Sequence, residues 1–221
     1  MIRVLGPLQV VHGETPVDIG SPRHREVLAA LAVDAGRVVP TETLLERVWG
    51  DGARGATTAN LHAVISRLRG RLRSASRAVE IATAPPGYRL DAPGAIDAEA
   101  FQDLFARARS ARAAGDLPAA RAHVNEALGL WRGAAYADIH HPFAEAEAAR
   151  LDGQRLAANE LAAELDLALG RHDRVLDRLP ARASQRLGRR RKWKKFFMQC
   201  RVLPPPFVVL VRLQEPHGKE A

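Results

Sequence analysis

Cationic side chains and a helical apolar pattern occur together between residues 57 and 74, TTANLHAVISRLRGRLRS. Four arginines occupy alternate positions near the end of this stretch: Arg67, Arg69, Arg71 and Arg73. From Gly52 through Val79 there is no acidic residue, so no local carboxylate neutralises these cations. Such a cluster suits phosphate binding, because each neutralised phosphate releases condensed counterions. The alternative is an ordinary solvated helix face.

The same stretch predicts a helix with two unlike sides. Thr57 or Thr58 can cap it, and the apolar residues recur at helical spacing in one stripe that must be buried: Leu61, Ile65, Leu68 and Leu72. The opposite side consists of small or cationic residues: Ala59, Ala63, Ser66, Arg67 and Gly70. Because so slim a side can enter a major groove, Arg67 is the candidate for bidentate hydrogen bonds to guanine.

The elements that must position this helix precede and follow it. Alternating apolar residues predict short antiparallel strands in the first 20 residues, and Ser21 followed by Pro22 predicts a helix start. A second helix is expected to be capped by Thr41 and to end at Gly50. Two strands joined by a turn at residues 83–87 follow the arginine-rich helix. This order predicts a winged helix-turn-helix.

Residues 97 to about 180 show no strand pattern and are rich in Ala, Leu and Arg, which indicates an all-α region. Two segments resemble each other, one around Gly115 and one around Gly170, and each predicts a helix, a turn and a second helix. The two glycines are 55 residues apart, which is longer than one tetratricopeptide unit. We therefore predict tetratricopeptide-like helical hairpins and an α+β fold class.

The positive charge is unevenly distributed along the 221 residues. The net charge of +8 divides into +3 for residues 1–96, −4 for residues 97–180 and +9 for residues 181–221. All four lysines lie in the last segment, together with a triple proline. We predict three parts: a winged-helix DNA-binding domain at residues 1–94, a helical domain at 95–180, and a basic, disordered tail at 181–221.

Composition and motifs argue against several functional classes. The one cysteine, Cys200, cannot form an intramolecular disulfide, which favours a reducing, cytoplasmic setting. No apolar run approaches the roughly 20 residues that cross a bilayer, and the N-terminus lacks a signal-peptide pattern, so no membrane association is expected. No lysine precedes Lys192, so the body has no GxxxxGK loop, and no G-x-S-x-G motif occurs. We expect neither an enzyme nor a bound cofactor.

Asp138, His140 and His141 are the candidates for a metal site. Adjacent histidines on a helix point in different directions, and the sequence offers no second ligand cluster. A loop before Pro142 is therefore the preferred interpretation, and no metal is predicted.

Two segments resemble known domains. Residues 1–91 resemble the OmpR/PhoB-type winged helix, on the motif Ile65-Ser66-Arg67-Leu68-Arg69 in the third helix and Pro86-Gly87-Tyr88-Arg89-Leu90 in the wing. Residues 97–180 are similar to the bacterial transcriptional activator domain, on residues 97–101 and 127–133. In this order the two domains are typical of the Streptomyces antibiotic regulatory protein (SARP) family, and the resemblance covers about four fifths of the chain.

The resemblance implies a sequence-specific DNA-binding regulator, usually an activator of a secondary-metabolite gene cluster. Such a protein binds direct repeats in double-stranded DNA and contacts RNA polymerase, here through residues 49–57, with a homodimer on DNA left open. By position in the motif, Ala63, Ser66 and Arg67 are implied to face base edges, Arg69 and Arg73 phosphates, and Arg89 the adjacent minor groove or backbone. The expected DNA-binding residues are Asn60, Ala63, Ser66, Arg67, Arg69, Gly70, Arg71, Arg73 and Arg89.

The chain departs from the family pattern after Leu179. The family's helical domain continues through further helices there, whereas here the lysine-bearing tail follows. A truncated or frame-shifted gene would explain this, and it makes activation less well supported than DNA binding. The alternative function is a protein-interaction adaptor, in which the helical repeats bind partners and the winged domain is a scaffold.

Overall fold

The computed structural model describes residues 1–50, 57–75 and 79–171, with the backbone alone for residues 74 and 75. Several predictions fall outside this range. They are the tail at residues 181–221, the second half of the hairpin around Gly170, and most of the segment implied to contact polymerase. Within the described residues, no helix is both long and apolar enough to cross a membrane.

The chain begins with three short antiparallel strands, β1 (Ile2–Arg3), β2 (Gln9–His12) and β3 (Thr15–Val17), in the order β1-β2-β3. The predicted early strands are confirmed. Gly13 makes the turn between β2 and β3 at a φ of +60°, which glycine adopts without strain. Val10 pairs with Ile2 on one side and with Val17 on the other.

Three helices follow: α1 (Pro22–Val33), α2 (Thr41–Trp49) and α3 (Thr58–Ala75). Ser21 is the N-cap of α1, as predicted, and Thr57 caps α3, with its Oγ1 accepting a hydrogen bond from the Asn60 amide at 3.3 Å. The predicted cap of α2 is wrong. Thr41 is the first residue of that helix, and its hydroxyl instead donates to the Pro86 carbonyl at 3.2 Å.

A second sheet has the strand order β4-β6-β5. Its first strand, β4 (Val38–Pro40), precedes α2, and β5 (Glu80–Ala84) and β6 (Gly87–Asp91) follow α3. The β5–β6 hairpin is the predicted wing. The sequence did not predict β4, because three residues ending in proline show no alternation and their pairing with β6 is tertiary. A Cβ at Gly87 would lie 2.0 Å from the Val39 carbonyl oxygen, so glycine is needed where β6 meets β4.

The rest of the described chain is helical: α4 (Asp97–Ala113), α5 (Leu117–Gly129) and α6 (Pro142–Ala168). The hairpin predicted around Gly115 is confirmed, with this glycine at a φ of +80°. Asp116 caps α5 and accepts the Ala119 amide at 2.9 Å. The observed elements confirm the α+β class, with a winged helix-turn-helix followed by helices.

The N-terminal residues bind directly to the helical region. The carboxylate of Asp97 accepts the amides of Val4 at 2.7 Å and Leu5 at 3.1 Å, and the Tyr136 amide donates to the Val4 carbonyl at 2.9 Å. Asp138 accepts the Leu8 amide at 2.6 Å. Residues on both sides of the predicted boundary at 94/95 therefore belong to one compact unit, which spans residues 1–172.

Candidate nucleic-acid interface

Helix α3 is seated by the stripe that the sequence predicted. Its buried side chains are at most 1% exposed: Leu61, Ile65, Leu68 and Leu72. The opposite, outward side is exposed, including Asn60, Ala63, Ser66 and Gly70. A Cβ added at Gly70 would meet nothing within 4 Å, so the surface there is open. A slim outward side is therefore available to a large ligand.

The four alternating arginines of α3 do not form one surface. Residues two apart on a helix lie about 200° apart around its axis, so alternate positions point to different sides. Arg67 and Arg73 are exposed, whereas Arg69 and Arg71 are half-buried. Among the described residues, neither Arg67 nor Arg73 forms an ion pair. These two arginines are therefore the α3 cations best placed to meet an anionic ligand directly.

Arg69 is bound to the wing. Its Nε donates to the Ile81 carbonyl at 2.7 Å, and its Nη2 donates to the Thr83 hydroxyl at 2.8 Å. The guanidinium also lies 5.7 Å from the centroid of the Tyr88 ring, within the range of a cation–π contact. The family resemblance implies a phosphate contact for Arg69, but in this structure the guanidinium is directed at β5 and β6.

Arg71 forms an ion pair with Asp18. Its Nη1 donates to the Asp18 carboxylate at 2.8 Å and to the Asp18 carbonyl at 3.0 Å. The sequence has no local carboxylate at this helix, but a distant one pairs with Arg71. Asp18 lies 53 positions earlier, and only the path of the β3–α1 loop brings it to α3. The amide of Gly20 and then Arg71 lower the pKa of Asp18, so the carboxyl is ionised at neutral pH.

Arg89 lies in the wing, on strand β6, as predicted, but its charge is compensated. Its Nε and Nη2 donate to the two carboxylate oxygens of Asp91 at 2.6 Å and 3.0 Å. The hydrogen bonds from Arg89 lower the pKa of Asp91. Because the side chain is 41% exposed, Arg89 remains accessible from solvent while paired.

His24 of α1 lies beneath the arginines of α3 and was not identified from the sequence. It is only 6% exposed, and its Nδ1 accepts the Ser21 amide at 3.2 Å. Burial lowers the pKa of His24, and the nearby charges of Arg71 and Arg67 lower it further. A histidine between two arginines in the first turn of a helix gives no sign in the sequence of such surroundings.

The candidate metal ligands have other contacts. Asp138 binds the Leu8 amide and also Arg25, whose Nε lies 3.1 Å from the carboxylate. His141 lies 3.4 Å from a carboxylate oxygen of Glu26, and His140 is exposed. Over residues 1–50, 57–75 and 79–171, no three such side chains are grouped as a metal would need. The loop before α6 joins the helical region to α1.

A helix seated beneath a β-hairpin, with exposed arginines on its outward side, places the first part of the chain in the winged helix-turn-helix class of DNA-binding folds. Residues 15–90 match the family model "Transcriptional regulatory protein, C terminal". Residues 96–199 match "Bacterial transcriptional activator domain", which extends beyond the described residues.

Relatives that align along most of this chain are named as regulatory proteins. The chain is 33% identical over 206 residues to regulatory protein DnrI of Streptomyces peucetius, covering 89% of this chain and 76% of DnrI. It is 35% identical over 179 residues to regulatory protein AfsR of Streptomyces griseus, covering 80% of this chain but only 18% of AfsR. The chain belongs to the SARP family of transcriptional regulators.

The fold also matches a solved structure of the family. Mycobacterium tuberculosis EmbR, in complex with a low affinity phosphopeptide, superposes with a TM-score of 0.79 at 34% identity. The match covers 85% of this chain and 51% of the EmbR chain. The chain thus corresponds to about half of that protein, and to a smaller part of AfsR.

Proposed function

We propose that this protein binds double-stranded DNA with sequence preference through α3 and the wing, and regulates transcription. The observation that supports the proposal best is the exposed outward side of α3, where Arg67 and Arg73 have no ion pair among the described residues. A B-form major groove about 12 Å wide admits one α-helix of this kind.

The residues on the outward side are suited to different roles. Ala63, Ser66 and Gly70 are small enough for close approach to base edges. Arg67, on the same side, can donate two parallel hydrogen bonds to guanine O6 and N7. Arg73 lies near the end of α3, where we assign it to the phosphate backbone.

We extend the proposal to activation. Membership of the SARP family supports an activator of a secondary-metabolite gene cluster that binds direct repeats and recruits RNA polymerase. On this proposal the protein acts in the cytoplasm without covalent chemistry or a cofactor, and two copies can occupy adjacent repeats. The helical region would provide the surface for protein contacts.

The test uses the full-length chain and duplexes enriched by it from a random-sequence library. We expect one enriched motif present as a direct repeat, with affinity that falls steeply as salt increases. An unenriched library would instead favour the adaptor function, in which the helices bind a protein partner. Activation is tested separately by measuring the transcripts that RNA polymerase synthesises from a template bearing the motif, with and without the protein.

Arg67 and Arg73 provide a matched pair of variants. Arg67→Ala should weaken binding to the enriched duplex by about 5- to 150-fold, the cost of about 1–3 kcal/mol for a lost base contact, and should change binding to unrelated duplexes much less. Arg73→Ala should weaken binding to every duplex and reduce the slope of log affinity against log salt by about 0.9. Equal effects of the two variants on all duplexes would refute these roles.

A further inference from the structure

We propose that Arg69 is a positioning residue that braces the wing against α3 and thereby determines sequence preference, without itself contacting DNA. The inference rests on the proposed function, since it concerns how the same interface is held. It differs from the role that the motif implies, because the side chain is directed at the protein.

The contacts of Arg69 reach both strands of the wing. Two N–H groups of one guanidinium bind the Ile81 carbonyl and the Thr83 hydroxyl of β5, at 2.7 Å and 2.8 Å. The same group lies against the ring of Tyr88 on β6. Because a guanidinium is planar and its donors have fixed directions, two such bonds fix an orientation as well as a distance.

Tyr88 provides a second attachment along the same helix. Its ring is 6% exposed and meets the ring of His62 edge to face, with centroids 6.2 Å apart. His62 and Arg69 are seven residues apart, which is about two turns or about 10 Å along α3. Contacts at two levels prevent α3 from rotating relative to the hairpin. The side chains that face base edges therefore keep one position relative to the wing.

The electrostatic state of Arg69 makes the inference testable. Its hydrogen-bond partners are a carbonyl and a hydroxyl, and neither carries a negative charge that would compensate the guanidinium. A phosphate contact depends mainly on that charge, and lysine can replace arginine there. A brace with two directed bonds cannot be made by a lysine ammonium in the same geometry. Arg69→Lys therefore separates the two roles.

The experiment compares Arg69→Lys with the matched variant Arg73→Lys, which makes the same change at an exposed position of α3. The readouts are the affinity ratio of the enriched duplex to a scrambled duplex of equal length, and the salt slope for each. Arg69→Lys should lower the ratio about tenfold, as expected for one or two lost hydrogen bonds, with an unchanged salt slope. Arg73→Lys should leave the affinity ratio within about twofold of the wild-type value and the salt slope unchanged, because the positive charge is kept.

Thr83→Val tests the brace from the wing side. It removes only the hydroxyl that accepts from Arg69, keeps a β-branched residue in β5, and leaves α3 untouched. We expect a loss of preference of about threefold at constant salt slope. A wild-type ratio in both Arg69→Lys and Thr83→Val would overturn the brace while leaving the proposed function intact. A wild-type protein with no preferred duplex would refute the proposed function, and the brace with it.

Discussion

Neutralising Asp18 should strengthen DNA binding, because this carboxylate compensates one of the four arginines of α3. Arg71 donates to the Asp18 carboxylate at 2.8 Å, and both side chains are solvent-accessible, at 41% for Arg71 and 81% for Asp18. In Asp18→Asn the side-chain oxygen that accepts the Gly20 amide at 2.8 Å is retained. The turn before α1 is thus preserved while the negative charge is removed.

The size of the effect follows from counterion release. Removing this one negative charge from beside the duplex should steepen the slope of log affinity against log salt by up to about 0.9. If that contact contributes nothing at about 1 M salt, the same slope corresponds to up to about eightfold tighter binding at about 0.1 M. The gain should be similar for all duplexes, because Arg71 lies on the flank of α3 rather than on its outward side.

Fluorescence anisotropy with a mixed-sequence duplex, titrated at several salt concentrations, measures both quantities. Glu14→Gln is the matched control, since it removes one charge from a carboxylate that is 93% exposed and lies 3.6 Å from Arg3 instead of an arginine of α3. An unchanged slope in Asp18→Asn, or the same change in Glu14→Gln, would show that the Arg71 charge does not act on DNA.

Two further predictions concern stability. Burial and the charges of Arg71 and Arg67 lower the pKa of His24 in the fold, so its contribution is complete above the unfolded pKa of about 6.5 and the free energy of unfolding falls as pH drops below it. Urea unfolding between about pH 7.5 and pH 5 should show less of this fall in His24→Gln than in the exposed control His140→Gln, and equal falls would contradict it. Arg121 and Asp166 form a buried pair, 1% and 0% exposed, joined by bonds of 2.6 Å and 2.7 Å. Asp166→Ala should cost about 3–5 kcal/mol of unfolding free energy because it leaves a buried cation, and Arg121→Met combined with Asp166→Leu should recover most of it; a double variant as unstable as the single one would refute this.

The helices and the wing were predictable because their patterns are local. The buried stripe of α3 repeats at helical spacing, Ser21 and Pro22 mark a helix start, and Gly115 marks the turn of the helical hairpin. Strand β4 was not predictable, since its three residues become a strand only by pairing with β6. Local periodicity therefore determines the elements, while short strands depend on the tertiary structure.

The exposed side of α3 was predictable, but the partners of its arginines were not. The sequence shows four arginines without nearby carboxylates, and it cannot show that Asp18 reaches Arg71 from a distant loop. Nor does it show that Arg69 binds Ile81 and Thr83 on the wing. These partners depend on the rotation of α3 about its axis and on the path of the loops. Composition thus gives the number of cations, and the fold decides which of them are available.

The amides of Val4 and Leu8 donate hydrogen bonds to Asp97 and Asp138, and on the proposed function these bonds affect promoter geometry. These bonds tie the helices after residue 97 to the part of the protein that contains α3. A protein docked on those helices would therefore lie at a fixed rotational position around the DNA axis. Inserting about five base pairs, half a helical turn, between the operator and the start site would then turn that protein away from its target, whereas about ten would restore the phase.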